Sequence, residues 1–69
     1  MNKWYSKRVA LDELSNGTRV STVQLPGCYE TMLFPKGSWL EIGCWRTDNL
    51  VDAQRNHARA LAQAKGNNK

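Results

Sequence analysis

His57 is the only imidazole in the chain, so a general base or a nitrogen ligand for a metal at neutral pH would have to be this residue. It lies in "VDAQRNHARALAQ", where apolar residues recur at helical spacing. On such a stripe an imidazole reads first as a packed side chain bonded to a group on a strand. Glu30, in "YETMLF", falls on the same side of its strand as Met32 and Phe34 by alternation. Paired with His57 or an arginine it would make a dyad. The reading preferred here is an edge position with the charge in water, and no nucleophile is evident to complete a catalytic set.

Cys28 and Cys44 are the only thiols. If "PKGS" centres a hairpin, Cys28 opposes Trp45, Cys44 opposes Tyr29, and the thiols point to opposite faces. A shift of one residue would bring them within reach of a disulfide. Free thiols are expected. Two cysteines and one histidine without a close Cys pair argue against zinc, and no cofactor is expected.

The remaining chemistry is that of contact. Trp4, Tyr5, Trp39 and Trp45 are many large aromatics for 69 residues. Some can complete a thin core, and others can form a binding surface, where Trp, Tyr and Arg carry most of the energy. Trp4 and Tyr5, beside Lys3, Lys7 and Arg8 and ahead of the expected sheet, are the leading contact residues. Arg55 and Arg59, one turn apart on the expected helix, add a basic ridge or else form a solvated face. The partner-binding set is therefore Trp4, Tyr5, Lys7, Arg8, Arg55 and Arg59.

Several elements must position these groups. "KRVALDEL" and "TRVSTVQL" flank "SNG", and Asn16-Gly17 is a strong hairpin signal because both residues tolerate positive φ. The rival reading makes residues 9–14 a helical turn capped by Gly17. "LPGC" suits a type II turn, with Pro26 and then Gly27 at its centre. "YETMLF" reads as a strand, "PKGS" as a turn, and "WLEIGCWR" as a fourth strand with Trp39, Glu41, Gly43 and Trp45 on one face. Leu40, Ile42 and Cys44 take the other. Gly43 marks a bulge or a close approach. From "TDNLVDAQ" the period becomes helical, with Thr47 or Asp48 as N-cap and Gly66 as the residue after the last turn. Leu50, Ala53, His57, Ala60, Leu61 and Ala64 form the inner stripe. The expected fold is α+β: a four-stranded antiparallel β-meander with one C-terminal helix packed on a face. Residues 1–69 form one domain, with 1–6 and 66–69 as flexible ends.

A chain of this length buries only about 60% of its unfolded surface, so its core is thin. The net charge is +4. Residues 1–8 and 53–69 carry bases and no acid, while Asp12, Glu13, Glu30, Glu41, Asp48 and Asp52 outnumber Arg19, Lys36 and Arg46 between them. An anionic partner is compatible with this pattern. No apolar run follows "MNKWYSKR", so neither a secretory signal nor a membrane span is expected.

"VSTVQL", then "YETMLF", then Ala53 and His57 four residues apart on a terminal helix resemble a family of small phage and actinobacterial proteins. The resemblance spans roughly residues 8–62. The short "PGC" connection departs from it, since relatives carry a longer glycine-rich loop there. The family implies a host-cytoplasm context and no defined activity. Together with the residues above, it points to a non-enzymatic phage-type accessory protein. Such a protein would bind a host protein complex, the transcription machinery being one candidate, and modulate or inhibit it. The alternative is a nucleic-acid-binding protein using the same basic and aromatic residues. A homodimer through an exposed edge strand is compatible with either.

Overall fold

The computed structural model describes residues 7–38 and 40–66. Trp4, Tyr5 and Trp39 lie outside the described residues, as do residues 1–6 and 67–69. Four strands, β1 (Lys7–Glu13), β2 (Arg19–Leu25), β3 (Cys28–Phe34) and β4 (Gly43–Thr47), are followed by one helix, α1 (Leu50–Gly66). The strands pair antiparallel in the order β1-β2-β3-β4. The helix lies across β3 with β2 and β4 on either side. This is the ββββα meander expected from the sequence, and the helical reading of residues 9–14 is set aside.

The turns show why the chain reverses where it does. Leu14 N–H donates to Thr18 O (2.8 Å), and Gly17 N–H donates to Leu14 O (2.9 Å). Only Gly17 is left-handed there, at φ +89°, so Asn16 does not share the positive φ expected of it. The loop is a tight turn closed by a glycine bulge, not a two-residue hairpin turn. Asn16 contributes its side chain, whose Oδ1 accepts from Thr18 N–H at 2.9 Å. At the second turn Gly27 has φ +87°, as a type II turn requires.

Cross-strand partners share a face, which fixes the two sides of the sheet. Val20 pairs with Leu33 and Thr22 with Thr31, and all four are buried beneath the helix. Ala53, Ala60 and Ala64 meet them from α1, with Leu14, Trp45 and Leu61 partly buried around the cluster. Alanine lets the helix axis come close, so the core is shallow. Leu33 and Val20 are its largest fully buried apolar side chains. Each contributes about 1.5–3 kcal/mol by leaving water. Leu50, assigned to the inner stripe by periodicity, is exposed in the first turn of the helix.

The helix is capped by Asn49, one residue later than expected. Asn49 Oδ1 accepts from Asp52 N–H at 2.8 Å, and Asp52 Oδ2 accepts from Asn49 Nδ2 at 2.9 Å. Two short polar side chains thus satisfy each other and one orphan donor of the first turn. At the other end Gly66 is the last helical residue, without the left-handed φ expected of a terminating glycine.

β4 is shorter than "WLEIGCWR" suggested. It pairs from Gly43 opposite Leu33 to Thr47 opposite Tyr29, and Ile42 N–H also donates to Leu33 O at 2.8 Å. Cys44 therefore opposes Met32 and not Tyr29. Both thiols fall on the helix-free face, four residues apart in strand frame. That separation is about 13 Å at ~3.3 Å per residue, far outside disulfide reach. The thiols are free, as expected, although the reason given for it, opposite faces, was wrong.

Candidate functional site

The most connected polar group in the molecule is a chain of four side chains between helix and sheet. Asp12 Oδ2 lies 2.7 Å from His57 Nε2. His57 Nδ1 lies 2.7 Å from Thr22 Oγ1. Thr22 Oγ1 lies 2.7 Å from Thr31 Oγ1. A carboxylate only accepts, so His57 Nε2 carries a proton and donates to Asp12. With Nδ1 unprotonated, it accepts from the Thr22 hydroxyl, whose oxygen in turn accepts from Thr31. In that tautomer the hydrogen bonds run in one sense, Thr31 to Thr22 to His57 to Asp12.

That order resembles a carboxylate–imidazole–hydroxyl triad, in which an acid orients a base that activates a nucleophile. Access is what separates the two. Thr22 and Thr31 are 0% and 1% exposed. A substrate carbonyl would have to enter the core beneath Ala53 and Ala60 to reach either hydroxyl. The arrangement satisfies buried polar groups and ties α1 to β1 and β2. The sequence reading placed His57 on the packed stripe bonded to a strand group, and the structure does the same. It missed the partners Asp12, Thr22 and Thr31. Alternation puts Thr22 and Thr31 on one face of the sheet once the Pro26-Gly27 turn is fixed, which was the usable signal.

A second cluster sits on the opposite face. Glu30 is buried, not an edge residue in water. Its Oε2 accepts from Arg46 Nε and Nη2, each at 2.8 Å, while Cys44 Sγ approaches it at 3.8 Å. Arg46 is its direct cross-strand neighbour, which a strand reading with the wrong β3–β4 register could not find. Loss of water around the Cys44 sulfur raises the thiol's pKa, and the Glu30 charge raises it further, with Arg46 opposing. The same carboxylate holds the Arg46 guanidinium still more firmly protonated. A thiol pushed this way is a poor nucleophile.

The expected contact residues are spread over separate elements. Lys7 and Arg8 open the edge strand β1 and are exposed. Arg8 opposes Val23, on the helix-free face. Arg55 and Arg59 are exposed on the outer side of α1, Arg55 standing 3.8 Å from Asp52. Trp4 and Tyr5 fall outside the described residues. No group of three or more His, Cys, Asp or Glu among the described residues could hold a metal ion. No helix among them is long and apolar enough to cross a membrane.

The face opposite the helix carries Arg8 and Leu11 from β1, Ser21, Val23 and Leu25 from β2, and Cys28, Glu30, Met32 and Phe34 from β3. β4 adds Cys44 and Arg46. Arg19 crosses the Phe34 ring at 5.7 Å and donates to the carbonyls of Pro35 and Ser38. Among the described residues no element lies over this face. No family model, curated protein or solved structure matches the chain.

Proposed function

We propose that this chain is a non-enzymatic accessory protein that docks on a larger protein complex and modulates it. The observation that carries the reading is the apolar face of the sheet opposite α1. Leu11 is exposed there, and Val23, Leu25 and Met32 are partly so, with no element among the described residues over them. Such a face gains by being buried on a partner. The Glu30 charge is already matched by Arg46, so Arg8 biases the open side toward an acidic and apolar protein surface. The inaccessible hydroxyls of Thr22 and Thr31 support a role without catalysis. The resemblance to small phage and actinobacterial proteins makes a host complex in the cytoplasm, with the transcription machinery as candidate, the natural partner.

The test is capture from host lysate with and without nuclease, repeated with Leu11→Glu and Arg8→Glu. The expected result is a discrete protein set that survives nuclease and is lost with either substitution, and with Trp4→Ala. Retention by all three variants overturns the reading. A second reading, binding to nucleic acid through Arg55 and Arg59, is favoured by their exposure on the outer helix face. It requires nuclease-sensitive capture and a steep fall of affinity with salt.

A further inference from the structure

We infer that two copies of this chain pair through β4, about a two-fold axis at Cys44, to make one continuous eight-stranded sheet. The two sheet edges are not equivalent. β1 is guarded: Lys7, Arg8, Asp12 and Glu13 charge its ends, and its register shifts between Arg8 and Ala10, leaving Val9 as the extra residue of a bulge. Charges and bulges are what keep an edge from recruiting another strand. β4 has neither device along Gly43–Thr47 apart from Arg46, which already holds Glu30.

The distribution of exposed apolar residues selects the same edge. Among the described residues five large apolar side chains are exposed, and four of them flank β4. Leu40 (78%) and Ile42 (55%) precede it, while Leu50 (44%) and Val51 (58%) follow it. An antiparallel two-fold pairing sets the beginning of one β4 beside the end of the other. Ile42, on the side of Cys44, and Leu50 and Val51, at the start of α1, thereby line the two sides of one seam, and the two-fold repeats them at its other end. The need for support is also visible. The cysteines are free, no metal cluster exists among the described residues, and the core is built mainly of alanine, valine and one leucine. Domains of this size without those staples commonly gain stability by association.

Symmetry limits the register. A two-fold axis normal to the sheet leaves every side chain on its own face, so the axis must pass through a residue paired with itself. At Arg46 it would set two guanidinium groups opposite each other. At Gly43 it would leave much of β4 unpaired. At Trp45 it would oppose two indoles, but each ring leans back along its own strand: a Cβ on Gly43 would lie 2.8 Å from Trp45 Cη2. At Cys44 each Trp45 faces Gly43 of the second copy, which brings no side chain of its own, and the two indoles, each lying back over its own Gly43, run side by side.

The experiment is sedimentation equilibrium of the full chain under reductant, followed by diamide at mildly alkaline pH. Diamide takes two electrons and two protons from two thiols, leaving one S–S bond. The expected result is a dimer that oxidation locks through Cys44. Cys44→Ser keeps the dimer and loses the crosslink, and Cys28→Ser keeps both. Ile42→Glu, at an exposed site, should fold normally and raise the dimer dissociation constant at least tenfold. A monomer at every concentration overturns the inference. So does a dimer that crosslinks only through Cys28, or one whose Cys44 and Arg46 amides exchange as freely as in Ile42→Glu.

Discussion

His57 and Asp12 stand 45 residues apart in the chain, yet Nε2 and Oδ2 meet at 2.7 Å, tying the C-terminal helix to the edge strand of the sheet. His57 is buried and Asp12 half exposed, so the two ends of the contact carry unequal weight. His57→Phe keeps a ring but takes from Thr22 one of its two hydrogen bonds. We expect a loss of about 2–4 kcal/mol in urea unfolding, combining that lost buried bond with imperfect packing. Asp12→Ala should lose less than about 1 kcal/mol, as half-exposed pairs do.

The one-way hydrogen-bond chain makes its middle member the costliest to delete. Thr22→Val leaves both His57 Nδ1 and the Thr31 hydroxyl without the bond each makes to it, and should cost about 2–3 kcal/mol. Thr31→Val removes only the donor at the start and should cost about 1 kcal/mol. Equal losses, read from matched denaturation curves, would contradict the middle place of Thr22 in the chain.

Cys44 predicts a pH dependence. Its thiol is held above the ordinary range, first by loss of water and then by Glu30. The unfolded chain therefore gives up this proton before the folded one. The stability tied to it is fully present below the ordinary thiol pKa and is lost as pH rises from there through the folded value. Cys44→Ser should flatten the alkaline decline in stability. Glu30→Gln should speed alkylation of Cys44 by iodoacetamide, since a raising influence is removed.

Asn49 rather than Thr47 or Asp48 caps the helix, so Asn49→Ala should destabilise by about 1 kcal/mol. Thr47→Ala should leave the cap intact. Helix content measured by circular dichroism near the melting midpoint separates the two.

Gly43→Ala tests the close approach inside β4. The added methyl would meet the Trp45 ring and displace it, at a cost of about 1–2 kcal/mol and with a shift of the indole N–H resonance.

The meander was legible because its first two reversals are written locally, in Asn16-Gly17 and Pro26-Gly27, and because the helix announces itself by period. The β3–β4 connection holds no such signal. A turn at Pro35–Ser38 starts the connection and residues 40–42 are irregular, so the register of β4 rests on pairing that no short segment encodes. Two site errors follow from that gap. Glu30 reads as a solvated edge position because its cross-strand neighbour Arg46 is not legible without that register, and the thiols read as facing opposite ways for the same reason. The glycine bulge at Gly17 hid Asp12 in a similar way, since it moves the pairing by one residue from that of a two-residue Asn16-Gly17 turn, and a one-residue shift decides which face a side chain takes. His57 was readable as packed from its own helix, but its partners come from two strands whose alignment only the folded sheet reveals.

A helix whose inner surface repeats alanine at 53, 60 and 64 is nearly smooth, and a smooth rod can lie on a sheet at more than one axial offset. Slid by one turn, α1 would present Ala53 or Leu61 to Thr22 and leave its hydroxyl with Thr31 alone to bind. The single imidazole thus acts as an index pin: it adds modest cohesion, but it decides where along the sheet the rod comes to rest.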